Sequence, residues 1–160
     1  MSNQLAKKYG VNTINYVGSS MGAYCSVFAA ERNQTLNLGK TVLLSPPAYP
    51  ENAHTTTYKD GFGLKIQEPW EIDQSPIFSV IAKSNAPLLI AYSEVDNPPI
   101  PSLIQDEYRA LPREANNIEC HTIKGVCHNF RRPETPKSGS VVDNEAVRQF
   151  GNKVVNFLKI

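Results

Sequence analysis

Three side chains capable of acyl-transfer chemistry occur in the order Ser20, Asp96, His128. A serine hydroxyl is a weak nucleophile until a base takes its proton. An imidazole can take that proton and return it to a leaving group, while a carboxylate holds the imidazole in the required tautomer. Ser20 is the centre of Gly18-Ser19-Ser20-Met21-Gly22, a G-x-S-x-G word. A mostly apolar run, Ile14 to Val17, precedes it, and a helix-capable run follows. In that context the word marks a sharp strand-to-helix turn that throws the serine hydroxyl clear of both elements. Side chains two residues before and two after the serine would collide in so tight a turn, so glycine is expected at Gly18 and Gly22. The helix would aim its unpaired N–H groups at the site. The Met21 N–H would be one donor to a developing oxyanion, with Ser19 and Tyr24 as neighbouring oxyanion or substrate contacts.

Taken alone, G-x-S-x-G also fits an ordinary glycine-rich turn. The partners decide between the two. Asp96 lies in Ser93-Glu94-Val95-Asp96-Asn97-Pro98, just past an apolar run. That is where a triad acid belongs, although a turn aspartate before proline is common for its own reasons. Glu94 is the rival acid. His128 lies in Lys124-Gly125-Val126-Cys127-His128, past another strand-like run, as the general base and then acid. His121 falls inside that run and reads as a sheet-face residue. His54 reads as surface. Cys127 shares no such turn, and Cys25 reads as a buried helix residue. Arg131 and Arg132 read as a solvated loop face.

The elements that must position these groups alternate. Residues 2–9 read as a helix stopped by Gly10. Residues 13–18 read as a strand covered on both faces, and 21–32 as a helix with Ala23, Val27 and Ala30 facing the sheet. Strands follow at 41–45, 87–92 and 117–123, the last partly alternating as an edge strand does. Helices are expected at 76–83, opened by Pro76, at 101–111, and at 144–158 with Val147, Phe150, Val154, Val155 and Leu158 on one stripe. Residues 48–75 show no clear period, and a loop of that length is often a lid or binding loop. The expected fold is α/β, one domain over 1–160, with a mostly parallel sheet of about four strands flanked by helices. Reactive residues in such sheets gather at the carboxyl ends of the strands.

Composition sets the outer bounds. The chain has 160 residues, 41% apolar and 19% charged, with a net charge of +1. That suits a globular domain with its own core and argues against a nucleic-acid or membrane surface. No apolar run reaches the length of a membrane span, and residues 1–10 lack a signal-peptide core. Three cysteines without a C-x-x-C pair suit a reduced, cytoplasmic setting. No ligand spacing for a metal occurs, and no cofactor is expected.

The words Asn15 to Ala23, Ala86-Pro87-Leu88-Leu89-Ile90 with Asp96 and Pro101, and Ile123 to Phe130 resemble the carboxyl-terminal half of an α/β-hydrolase. Ser75-Pro76-Ile77 resembles the approach to the acid strand in esterase and prolyl-oligopeptidase-like members. The resemblance runs from about residue 2 to residue 158. It implies that the four strands correspond to the family's fifth to eighth, an α/β-hydrolase core lacking the N-terminal strands. It also implies that 48–83 occupies the place of a lid or insert. Family members often have Gly where Ser93 stands.

Ser20, Asp96 and His128 would form the triad of a serine hydrolase acting on a small-molecule ester or acyl substrate, with an amide as the second choice. The family's earlier strands, with the loop that supplies a second oxyanion N–H, have no counterpart in this sequence, and residues 13–18 would have an open edge. The expectation is a fragment, a partner chain supplying the missing N-terminal half, a homo-oligomer joined edge to edge, or a natural minimal form. The competing class is a truncated or degenerate hydrolase serving as a non-catalytic binding or assembly module.

Overall fold

The structure, a computed structural model, describes residues 2–33, 35–95, 101–111, 118–132 and 141–159. In chain order the elements are helix α1 (Ser2–Tyr9), strand β1 (Thr13–Ser19), α2 (Met21–Glu31), β2 (Asn37–Leu44), α3 (Glu51–His54), α4 (Phe62–Lys65), α5 (Pro76–Ala82), β3 (Leu88–Ser93), α6 (Ser102–Ala110), β4 (Ile118–Ile123) and α7 (Asn144–Leu158). Single 3-10 turns occupy Ile72–Gln74 and His128–Phe130. The sheet has the order β1-β2-β3-β4, and each neighbouring pair is parallel.

Residues along β2 and β3 alternate between two apolar layers, as the two-residue period of a strand requires. Leu43, Leu88, Ile90 and Tyr92 face one layer, shared with α2, α5 and α6. Val42, Leu89 and Ala91 face the other, closed by Phe150 of α7. These two inner strands are therefore buried on both faces. Tyr108 of α6 is wholly enclosed, and its hydroxyl donates to the carbonyl of Pro47 at 3.1 Å.

Two expectations about faces are corrected. β1 is not covered on both sides: its residues alternate between exposed and half-buried, and Val17 is 59% exposed. The α7 layer stops at β2, so one face of β1 has no cover among the described residues. On α7, Phe150, Val154, Phe157 and Leu158 meet the sheet, whereas Val147 and Val155 face outward. The inward stripe is thus narrower than the apolar pattern suggested.

The far end of α7 is tied back to the sheet. Lys40 of β2 donates from Nζ to the carbonyls of Phe157 and Lys159 at 2.7 and 2.6 Å. These are carbonyls that a helix end leaves without intrahelical donors. No helix among the described residues is long and apolar enough to cross a membrane.

Candidate active site

Ser20 stands alone between β1, which ends at Ser19, and α2, which starts at Met21. Its backbone has φ 52° and ψ −130°, a region that side-chain-bearing residues rarely adopt. Its N–H donates to Leu44 O at 2.8 Å, which holds the turn against the end of β2. Serine is a favoured helix cap, yet this side chain makes no capping bond. As the first residue of α2, Met21 has no intrahelical acceptor for its N–H.

Gly18 fits the tight-turn expectation. A Cβ there would overlap Gly22 O, Ser26 Oγ and Ala23 Cα. Gly22 does not fit it. A Cβ on Gly22 would meet nothing within 4 Å, because that side of the turn opens outward. The expectation of a collision at Gly22 is therefore corrected.

His128 opens the 3-10 turn after β4, at the same end of the sheet as Ser20. β1 and β4 are opposite edges, three strand spacings apart, or about 14 Å at the sheet. The histidine loop is held from both sides. Glu94 Oε2 accepts from the Gly125 N–H at 2.8 Å, and the Val95 N–H donates to Val126 O at 3.1 Å. Gly125 sits at φ 70°, where glycine is favoured.

Beyond the histidine, Cys127 bridges Arg131, and the Asp143 N–H donates to Phe130 O at 2.7 Å. Asp143 caps α7 through the Ala146 N–H at 2.9 Å and pairs with Arg132 at 3.2 Å. The Ala146 N–H and the Arg132 guanidinium hold its carboxyl below the usual range. Asp96 lies outside the described residues. Glu94, the rival acid, has its carboxylate engaged in the loop contact with Gly125.

Beside the turn is a cleft of about 650 Å³. Met21, Tyr24, Cys25 and Phe28 of α2 line one side, and Tyr49, His54, Tyr58 and Phe62 line the other. Burial pushes the Tyr49 hydroxyl up to about 12, with nearby Cys25 and Tyr58 adding to the shift, and it raises Tyr24 further. Ser19 is exposed beside the turn.

Two residues in this cleft depart from expectation. Cys25 is exposed rather than buried, because α2 turns Ala23, Tyr24, Val27, Phe28 and Ala30 inward and Cys25 toward the cleft. His54 is half-buried rather than at the surface. Its Nδ1 lies 3.3 Å from the Tyr24 hydroxyl, and its ring lies 4.3 Å from that of Phe28. Trp70 and Phe130 pack against the two core layers.

No family model matches the chain, and no curated protein matches its sequence. Solved structures do match in shape. One is an alpha/beta hydrolase enzyme from the metagenome of lagoon sediments at Mar Chica, Morocco, at 16% identity and TM-score 0.55. The match covers 95% of this chain and 67% of that one. A meta-cleavage product hydrolase from Pseudomonas fluorescens matches at 13% identity and TM-score 0.58, over 96% of this chain and 67% of that one. Carboxyl esterase 2 from the fungus Tuber melanosporum matches at 22% identity and TM-score 0.52, over 79% and 49%. The chain thus spans about two thirds of the first two and half of the third. With its four-stranded parallel sheet between helical layers, the chain has part of the α/β-hydrolase fold.

Proposed function

We propose that this chain carries the catalytic machinery of a serine hydrolase that cleaves a carboxylic ester. The observation that carries the reading is the backbone of Ser20, strained at φ 52° between a parallel strand and a helix N-terminus. Ser20 Oγ attacks the ester carbonyl while His128 takes its proton. Electrons move onto the carbonyl oxygen, which the Met21 N–H and the end of the α2 dipole stabilise. His128 then protonates the departing alcohol, leaving an acyl group on Ser20, and water reverses the sequence to release the acid. Asp96 orients His128 and stabilises its charged form.

Labelling by a fluorophosphonate tests this, because the reagent needs an activated serine and no natural substrate. Wild type is expected to label, and Ser20→Ala and His128→Ala are not. A folded wild type that never labels would overturn the reading.

The open face and edge of β1, with Val17 exposed, favour a second reading in which the chain works as a binding or assembly module. Its partner would be a missing N-terminal half or a second copy. Light scattering on the labelled peak separates the two: a labelled monomer supports the hydrolase alone, and an unlabelled assembly supports the module.

A further inference from the structure

The cleft beside Ser20 goes further than the reaction type. We propose that it is the subsite for an aromatic ring of the ester, on its acyl or its alcohol side. This rests on the serine hydrolase reading for its chemistry, but not for its binding test.

Met21, Tyr24, Cys25 and Phe28 recur at i, i+3, i+4 and i+7, so they form one stripe down α2. The stripe begins next to the proposed nucleophile and runs about 10 Å. That length takes one ring and a short linker rather than a long alkyl chain. The volume of about 650 Å³ is that of a small-ligand site.

The facing wall carries the rings of Tyr49, Tyr58 and Phe62 beside Ala53, Thr55 and Thr56. Tyr49 meets Phe62 edge to face with centroids 5.2 Å apart, and Tyr58 stacks on Phe62 at 5.6 Å. Despite that stacking, Tyr58 remains 77% exposed. Ring faces and edges favour another ring over an alkyl group of equal size through their quadrupoles. At the floor, the Tyr24 hydroxyl and His54 are already partnered with each other.

Two measurements test the proposal. The first compares esters of similar size, each rate divided by that of its alkaline hydrolysis: ethyl phenylacetate against ethyl cyclohexylacetate for the acyl side, and benzyl acetate against cyclohexylmethyl acetate for the alcohol side. The aromatic member of one pair should be preferred by about tenfold in kcat/KM. That ratio should fall to about one in Tyr58→Ala and Phe62→Leu. Hydrolysis without a preference in either pair, or with one that survives both substitutions, would overturn the subsite.

The second measurement needs no turnover. Cys25 lines the cleft, whereas Cys120 is exposed on β4. In Ser20→Ala, ethyl phenylacetate or benzyl acetate should slow alkylation of Cys25 by iodoacetamide about tenfold at saturation, with Cys120 as the control in the same digest. Its cyclohexyl partner should not. Protection without any hydrolysis by wild type would leave the subsite standing and overturn the hydrolase. Ser20-dependent hydrolysis without protection would do the reverse. Cys25 blocked from the start, in a particle larger than a monomer, would mean that a second copy fills the cleft, and would also overturn it.

Discussion

Ser20 and Ser45 stand side by side at the carboxyl ends of β1 and β2, one residue past the paired Ser19 and Leu44. Both have positive φ, 52° and 44°. Ser20 donates its N–H to Leu44 O, and Ser45 donates its own to Ala91 O at 2.7 Å. They differ in their hydroxyls. Ser20 is partly open, whereas Ser45 is 2% exposed and its Oγ has no partner among the described residues.

A buried hydroxyl without a partner keeps its desolvation cost. Ser45→Ala should therefore stabilise the fold by about 1 kcal/mol in urea denaturation, and Ser45→Gly, which also relaxes the positive φ, by at least as much. Destabilisation by both would mean that a bound water or substrate-side group satisfies the hydroxyl.

The two glycines of the serine turn should separate cleanly. Gly18→Ala puts a methyl into backbone atoms of α2 and should cost about 2 kcal/mol or more. Gly22→Ala meets open space in the first turn of α2 and should be neutral or stabilising by up to about 1 kcal/mol. Parallel thermal melts decide. Equal losses at both positions would show that the space beside Gly22 is occupied in solution.

Glu94 and Asp96 can be told apart by their amides. Asp96→Asn should lower kcat by about 10⁴-fold, since the imidazole then loses its charged partner and its tautomer. Glu94→Gln keeps an oxygen to accept the Gly125 N–H and should lose little. Glu94→Ala frees the loop and should cost about tenfold through misplacement of His128. Steady-state kinetics on one ester with all three variants make the comparison; a Glu94→Gln loss matching that of Asp96→Asn would move the acid's role to Glu94.

Asp143 should give the fold an acid-sensitive component. Its folded-state pKa lies below the ordinary 3.8, so its contribution is fully present above that value and is lost as pH falls through the folded-state value. The stability gap between wild type and Asp143→Ala should be full at neutral pH and close as the solution is acidified past the carboxylate range. Asp143→Asn keeps a capping oxygen and should show a smaller gap at neutral pH. Urea melts at pH 7 and pH 3 measure both.

The inner strands were legible because their residues face apolar layers on both sides. Val42 to Leu44 and Leu88 to Tyr92 read as strands on composition alone. The first half of β2 did not, because Asn37, Gly39 and Lys40 leave Leu38 as its one apolar residue. They become strand through pairing with β1, across a register shift where Asn15 Oδ1 accepts the Lys40 N–H at 2.7 Å. The serine turn was legible because its glycine spacing is local, and Gly18 shows why. The cleft was not. Its far wall comes from Tyr49, α3, α4 and the residues between the two helices, and a four-residue helix is too short for a period of 3.6 to show. Reading His54 as surface failed for that reason, whereas Cys25 is exposed because α2 turns Ala23, Tyr24, Val27, Phe28 and Ala30 inward.

The strands lie across the sheet in the order in which they are made. During synthesis each new strand joins the outside of a finished neighbour, and none has to force its way between two others. The loops to be closed stay short at every step, which favours fast assembly over long-range search. It also sets a timetable. Of the two, the turn that holds Ser20 is made before the His128 loop, which Glu94 and Val95 meet at once and which gains its contact with Asp143 only when α7 follows. On the proposed mechanism, a chain still emerging from the ribosome carries a serine that cannot yet attack anything.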